Sequence, residues 1–124
     1  MAKLTGTEET IMKYLWQLDN AFMKDLVDAF PEPRPAYTTI ATVLTRMVDK
    51  GYVGYKQYGK VRSYHPKLKK SDYFARQFNS IIRDFFDNSS SQFASFFTSR
   101  RDLSIEELED LKKIVEAQIQ KKRR

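Results

Sequence analysis

The chain has 124 residues, of which 41% are hydrophobic and 14% aromatic, enough to bury one core and to support a small second unit. Its 22 Lys and Arg residues against 16 Asp and Glu give a net charge of +6, most of it before residue 71, which favours a polyanionic partner. The absence of cysteine excludes disulfides, thiol chemistry and Cys-based zinc sites, and no signal peptide or membrane span is recognisable. We therefore expect a soluble cytoplasmic protein.

Three helices are predicted in the first part of the chain. Thr5 opens a capping box, which predicts a helix that ends near Asp19. A second, short helix has an apolar stripe that stops at the three prolines of residues 31–35. The third begins at about Tyr37 and is expected to end at Gly51, a typical residue after a helix C-terminus.

The third helix has two distinct faces. Helical spacing puts an apolar stripe on one side, made of Ile40, Val43, Leu44, Met47 and Val48. The other side carries Thr38, Thr42, Thr45, Arg46 and Asp49. Threonine is a mediocre helix former, so a merely solvated face would favour Glu, Lys or Ala. A threonine face fits DNA, because the hydroxyl can bond phosphates or base edges, the methyl can touch thymine, and Arg46 can pair with guanine or phosphate. The alternative is an accident of composition.

A β-hairpin with a basic tip is predicted next. Two aromatic and β-branched runs flank Gly59-Lys60, and Pro66 closes the second run. We expect Lys60 and Arg62 to contact the phosphate backbone of DNA, whereas Lys56 is equally well explained as a solvated edge residue. Three helices followed by a hairpin are the order of a winged helix-turn-helix, in which the third helix enters the major groove.

Residues 71–124 are predicted to form a second unit of two or three amphipathic helices. Ser71 is the expected N-cap of the first, residues 88–92 are expected to interrupt it, and Ser104 opens a capping box for the last. These helices have no evident second layer, which favours a homodimer over packing onto the first domain. The residues expected at the dimer interface are Phe74, Phe78, Ile81, Ile82, Phe85, Leu108, Leu111, Ile114 and Val115. The predicted fold is thus mainly α with a small β-hairpin, divided into a DNA-binding domain at 1–70 and a dimerisation domain at 71–124.

No pattern typical of an enzyme is present. His65 is the only histidine, and its position before Pro66 in a strand favours a structural role. The carboxylates near the start of the last helix are explained by favourable charge at a helix N-terminus. Without a glycine-rich phosphate loop or a nucleophile motif, we expect neither catalysis, nor a cofactor, nor a metal.

The motifs AYTTIATVLTRMVDKGYV and GKVRSYHP, preceded by LTGTEETIMKYLW, resemble the BlaI/MecI family of penicillinase repressors over nearly the whole chain. The resemblance implies a dimeric winged-helix repressor that binds a palindromic operator before resistance or stress genes. In that family the helix beginning YTT reads DNA, which implies roles for Tyr37, Thr38, Thr39, Thr42 and Arg46. Ala41 stands where relatives carry an arginine.

The resemblance also implies a mode of release. Family repressors are inactivated when a membrane-bound sensor metalloprotease, itself responding to β-lactam, leads to cutting in the C-terminal domain. The matching bond here is Phe96-Phe97, without the family's usual asparagine, and no cysteine cluster supports copper sensing. Two alternatives remain: a winged-helix module that binds proteins without specific DNA binding, and a repressor released by a small ligand held among the phenylalanines of residues 74–96.

Overall fold

The structure, a computed structural model, describes residues 4–124. The elements in chain order are α1 (Gly6–Leu18), β1 (Ala21–Phe22), α2 (Met23–Ala29), α3 (Tyr37–Asp49), β2 (Val53–Tyr58), β3 (Val61–Pro66), α4 (Lys70–Phe85), α5 (Ser90–Arg100) and α6 (Ile105–Lys122). The predicted class, mainly α with three helices before a hairpin, is confirmed. Within the described range, β1 is the one strand that the pattern did not predict.

Local signals explain where α1 begins and where α3 ends. The Glu8 carboxylate accepts a hydrogen bond from the Thr5 N–H at 2.9 Å, and the Thr5 hydroxyl accepts one from the Glu8 N–H at 3.4 Å, which completes the predicted capping box. After α3, Gly51 takes a φ of 84°, and the Tyr52 N–H reaches back to the Met47 carbonyl at 3.0 Å. This Schellman ending needs a left-handed residue, so glycine stops α3 at the predicted place.

The sheet has three antiparallel strands in the order β1-β3-β2. β2 and β3 pair from Val53 opposite Pro66 to Tyr58 opposite Val61, so Gly59 and Lys60 form a two-residue turn. Gly59 has a φ of 61°, the conformation for which this turn position favours glycine. β1 pairs with the other edge of β3 through two residues only, too short a run to show alternation in the sequence.

Contacts divide the chain into two units, residues 1–77 and 78–124, with the division inside α4. The core of the first unit consists of Leu4, Ile11, Met12, Leu15, Ala21, Leu26, Phe30, Ile40, Val43, Leu44, Met47, Val53, Leu68 and Tyr73. The apolar stripe predicted for α3 is confirmed, since four of these side chains are its buried residues. The same stripe therefore orients the opposite face of α3 toward solvent.

The start of α4 belongs to the first unit and differs from the prediction. Ser71 is not an N-cap, because the helix already begins at Lys70. Tyr73, 1% exposed, donates its hydroxyl to the Glu9 carboxylate at 3.0 Å and packs against Trp16. Burial, together with the hydrogen bond to Glu9 and its negative charge, raises the pKa of Tyr73 above its usual value. Because Tyr73 packs against Trp16 of α1, the first turn of α4 is part of the core of the first unit.

The second unit consists of the end of α4 with α5 and α6. The predicted interruption at residues 88–92 is displaced, because α5 already begins at Ser90 after a break over residues 86–89. Ser89 caps α5 through the Gln92 N–H, and the predicted capping box of Ser104 with Glu107 opens α6. A cluster of aromatic rings, with centroids 4.7 to 6.0 Å apart, joins Phe78, Phe86, Phe93, Phe96 and Phe97.

Candidate nucleic-acid interface

The outer face of α3 is a polar surface open to solvent. Its exposed side chains are Tyr37, Thr38, Thr39, Thr42, Thr45, Arg46 and Asp49, whereas Ala41 is half-buried. All of the α3 residues predicted to contact DNA therefore lie on the accessible side of one rigid helix. Short threonine side chains there allow another surface to approach the helix closely.

Arg46 lies in the last turn of α3 and is exposed. Within residues 4–124, no ion pair or side-chain hydrogen bond engages its guanidinium. Arg34, by contrast, donates to the Phe30 carbonyl at 2.8 Å and pairs with Glu32. Arg46 is therefore available to bind another molecule. Arg34 is instead engaged in contacts within the segment between α2 and α3.

Lys60 and Arg62, the two hairpin residues predicted to contact phosphates, differ in their surroundings. Lys60 is exposed at the turn itself. Arg62 donates to the Gln57 side chain at 3.2 Å, and its guanidinium lies 4.2 Å from the centroid of the Tyr55 ring. A cation held over an aromatic face is oriented in advance, which lowers the entropy lost when it binds an anion.

A cleft of about 510 Å³ separates α2 and α3 from the hairpin. It brings together Tyr37, Lys60 and Arg62 from the predicted set, whereas Thr38, Thr39, Thr42 and Arg46 are not part of its lining. The lining also includes Lys24, which was not among the predicted DNA contacts. No sequence signal marked Lys24, because its place beside the hairpin depends on the pairing of β1 with β3.

An ion pair fixes the C-terminal end of α3 to α1. The Lys50 ammonium lies 2.9 Å from the carboxylate of Glu8, which is 3% exposed. Burial acts to raise the pKa of Glu8, but the hydrogen bonds from Thr5 and Lys50 and the charge of Lys50 outweigh it, so the pKa lies below its usual 4.5. The contact joins residues 42 apart in sequence and links the C-terminal end of α3 to the start of α1.

We expect Lys50→Ala to lower the free energy of unfolding by about 1 to 3 kcal/mol at neutral pH, because the buried Glu8 carboxylate loses its charged partner. A carboxyl with a lowered folded pKa stabilises the fold above its unfolded pKa. The wild-type protein therefore loses this part of its free energy of unfolding as the pH falls below 4.5. Lys50→Ala, in which Glu8 lacks its charged partner, should lose less over the same pH range. Urea unfolding followed by the single tryptophan, Trp16, measures both effects.

Lys13→Ala is the matched control for Lys50→Ala. Its ion pair with Glu9, at 3.6 Å, is largely solvent-exposed, so we expect a change of less than about 0.5 kcal/mol. Equal effects of the two substitutions would show that the contact with Glu8 contributes nothing specific.

The second unit leaves most of its apolar side chains in solvent. Of the predicted interface residues, Ile82 is buried and Leu111 half-buried, whereas Phe78, Ile81, Phe85, Leu108, Ile114 and Val115 are exposed by 41% to 77%. Phe74 is also 41% exposed but contacts Trp16 and Tyr73 of the first unit. Apart from Ile82, no apolar residue in the described 78–124 range is buried.

The bond between Phe96 and Phe97 lies inside α5, which runs from Ser90 to Arg100. The Phe97 carbonyl accepts a hydrogen bond from the Arg101 N–H at 3.3 Å, and Phe96 is 47% exposed. A protease could reach this backbone only after local unfolding of the helix, since an intact helix keeps its peptide groups bonded.

Residues 4–124 contain neither a candidate membrane span nor a candidate metal cluster. No helix of residues 4–124 is both long and apolar enough to cross a bilayer. No cluster of three or more potential metal ligands occurs there either. His65 is half-buried and packs over Gly54, where a Cβ would lie 2.6 Å from its ring nitrogen.

Comparison with known proteins assigns the family. The family model described as "Penicillinase repressor" matches residues 4–117. The penicillinase repressor of Bacillus licheniformis is 24% identical over 92% of this chain and 90% of its own length, and the methicillin resistance regulatory protein MecI of Mammaliicoccus sciuri is 23% identical over 91% and 93%. The solution structure of the DNA binding domain of the repressor BlaI matches 59% of this chain and 94% of its own, at a TM-score of 0.51 and 26% identity. The chain belongs to the penicillinase repressor family.

Proposed function

We propose that this protein is a transcriptional repressor that binds a specific DNA operator through α3 and the hairpin. The observation that carries the proposal is the exposed polar face of α3, with Arg46 unpaired among the described residues and a basic hairpin beside it. The likeness to the DNA binding domain of BlaI supports the same assignment. In such folds phosphate contacts supply affinity, and the helix in the major groove supplies sequence preference.

We propose that the repressor acts as a homodimer on a palindromic operator. The exposed apolar side chains of α4 and α6 need a covering surface, and a second copy supplies a matching one. A two-fold dimer places its recognition helices on half-sites about 34 Å apart or a multiple of that distance. The regulated genes that fit the family are those for antibiotic resistance or stress responses.

Release by proteolysis in the C-terminal domain completes the proposal. A cut between Phe96 and Phe97 would separate α6, with its exposed Leu108, Ile114 and Val115, from the DNA-binding unit. Loss of those side chains would dissociate the dimer and weaken operator binding. A membrane-bound sensor metalloprotease is the partner that would start this process. Mass spectrometry of fragments from β-lactam-treated cells would identify the cut bond.

Fluorescence anisotropy tests operator recognition directly. The full-length protein is titrated against the DNA upstream of its own gene and against a scrambled duplex, at two salt concentrations. We expect salt-sensitive binding with a preference of at least about 10³ for the native DNA. Equal, weak binding to both duplexes would contradict the proposal and favour a protein-interaction module.

Lys60→Ala should weaken binding to all DNA sequences to a similar degree and lower the salt slope by about one per protomer, because Lys60 would neutralise a phosphate without reading a base. Salt-dependent anisotropy titrations on the native and scrambled duplexes measure this slope. Lys13→Ala removes the same charge from an exposed position on α1 and should leave the slope unchanged. A change of sequence preference in the Lys60 variant would contradict the assignment.

A further inference from the structure

The threonines on the outer face of α3 differ in what their hydroxyls bond to. The Thr42 hydroxyl donates to the Thr38 carbonyl at 2.8 Å, and the Thr45 hydroxyl donates to the Ala41 carbonyl at 2.9 Å. Within residues 4–124, no comparable bond engages the hydroxyls of Thr38 and Thr39. All four side chains are exposed, so one residue type presents two different chemistries to an approaching surface.

A hydroxyl has one proton to donate and two lone pairs that accept. Once Thr42 and Thr45 have given that proton to the helix backbone, they present only an acceptor oxygen and a methyl group to the outside. Phosphate oxygens are themselves acceptors, so these two threonines are poorly suited to hold them. The major-groove edges of bases offer matching groups, namely the amino groups of adenine and cytosine and the C5-methyl of thymine.

Thr38 and Thr39 lie in the first turn of α3 and keep their protons available. A free hydroxyl can donate to a phosphate oxygen, a contact that positions the protein without reading sequence. We propose that Thr42 and Thr45 are specificity-determining residues that contact thymine methyls, while Thr38 and Thr39 anchor the helix to phosphates. This division rests on the proposed function as a DNA-binding repressor.

Serine and valine substitutions distinguish a contact made by the threonine methyl from a contact made by the threonine hydroxyl. Thr42→Ser and Thr45→Ser keep the hydroxyl and lose the methyl, whereas Thr42→Val keeps the methyl and loses the hydroxyl. The DNA probe is a duplex selected from a random library by the full-length protein, together with copies in which individual thymines are replaced by uracil. That replacement removes only the C5-methyl group from the major groove.

We expect uracil at a contacted position to weaken the wild-type protein about fourfold, the contribution of one buried methyl group. The serine variant of the contacting threonine should bind thymine and uracil duplexes equally, and Thr42→Val should retain the preference for thymine. Thr38→Val is the matched control: it should weaken binding to both duplexes about fivefold for each half-site, the effect of one hydrogen bond, and leave their ratio unchanged.

An unchanged thymine-to-uracil ratio in both serine variants would overturn the inference, even where specific binding persists and the proposed function therefore stands. A larger loss for Thr42→Val than for Thr42→Ser would overturn it as well, since the hydroxyl would then be the reading group. Failure of the selection to enrich any sequence would overturn the proposed function, and the inference with it.

Discussion

We expect Arg46→Ala to weaken binding to the proposed operator by about 1 to 3 kcal/mol for each half-site, and therefore by about 2 to 6 kcal/mol in the proposed dimer, which would use two copies. The reason is that Arg46 is exposed in the last turn of α3 and carries the one guanidinium on the outer face of that helix. Anisotropy titration with the native and scrambled duplexes measures the loss. Because the side chain is solvent-exposed, the free energy of unfolding should stay within about 0.5 kcal/mol of wild type.

Arg46→Lys distinguishes the two roles open to this residue. Lysine keeps the charge but cannot form the planar, bidentate pair that arginine makes with guanine. If Arg46 reads a guanine, Arg46→Lys should lose sequence preference nearly as fully as Arg46→Ala. If it binds a phosphate, lysine should restore most of the affinity. Unchanged operator affinity in the alanine variant would mean that another face of the domain binds DNA.

We expect Val115→Glu to dissociate the proposed dimer and to lower apparent operator affinity by about 10² to 10⁴, because the contact with the second half-site then no longer benefits from its tether to the first. Val115 is 57% exposed in the single chain and follows Leu108 and Leu111 along one stripe of α6. A charge there has little effect on the isolated helix but would be buried in a dimer, at high cost. Sedimentation equilibrium measures the dissociation, and anisotropy measures the loss of DNA binding.

Gln120→Glu is the matched control for Val115→Glu. It adds the same charge to the same helix on its polar side, and Gln120 is exposed. We expect this variant to remain dimeric and to bind the operator as the wild type does. Dissociation by both substitutions would point to a general charge effect, and dissociation by neither would place the interface away from α6.

Features that depend on neighbouring residues were predictable from the sequence. The capping box of Thr5 with Glu8, the glycine after α3 and the two-residue turn at Gly59 each rest on contacts within a few positions. The apolar stripe of α3 follows from the helical period alone, and the stripe in turn identified the exposed threonine face. These relations follow from local backbone geometry and do not depend on distant contacts.

Other features depended on residues far apart in the chain. The pairing of β1 with β3 decides that Lys24 shares a cleft with Tyr37 and Lys60. α4 begins at Lys70 and not after Ser71, and Tyr73 in its first turn packs against Trp16 of α1. Such contacts follow from how the elements meet, and no short-range pattern encodes them.

The sequence by itself determined the helices, the hairpin and the polar face of α3, because periodicity and capping act over one or two turns. Only the tertiary structure decided which cations share the cleft, how Lys50 is joined to the buried Glu8, and that Arg62 lies over Tyr55. The bonds of Thr42 and Thr45 to the backbone of α3 are local, since each spans four residues, and they belong with the features that follow from nearby sequence. The physical reason is that side-chain position and hydrogen-bond partners depend on three-dimensional packing, whereas secondary structure is specified largely by local chemistry.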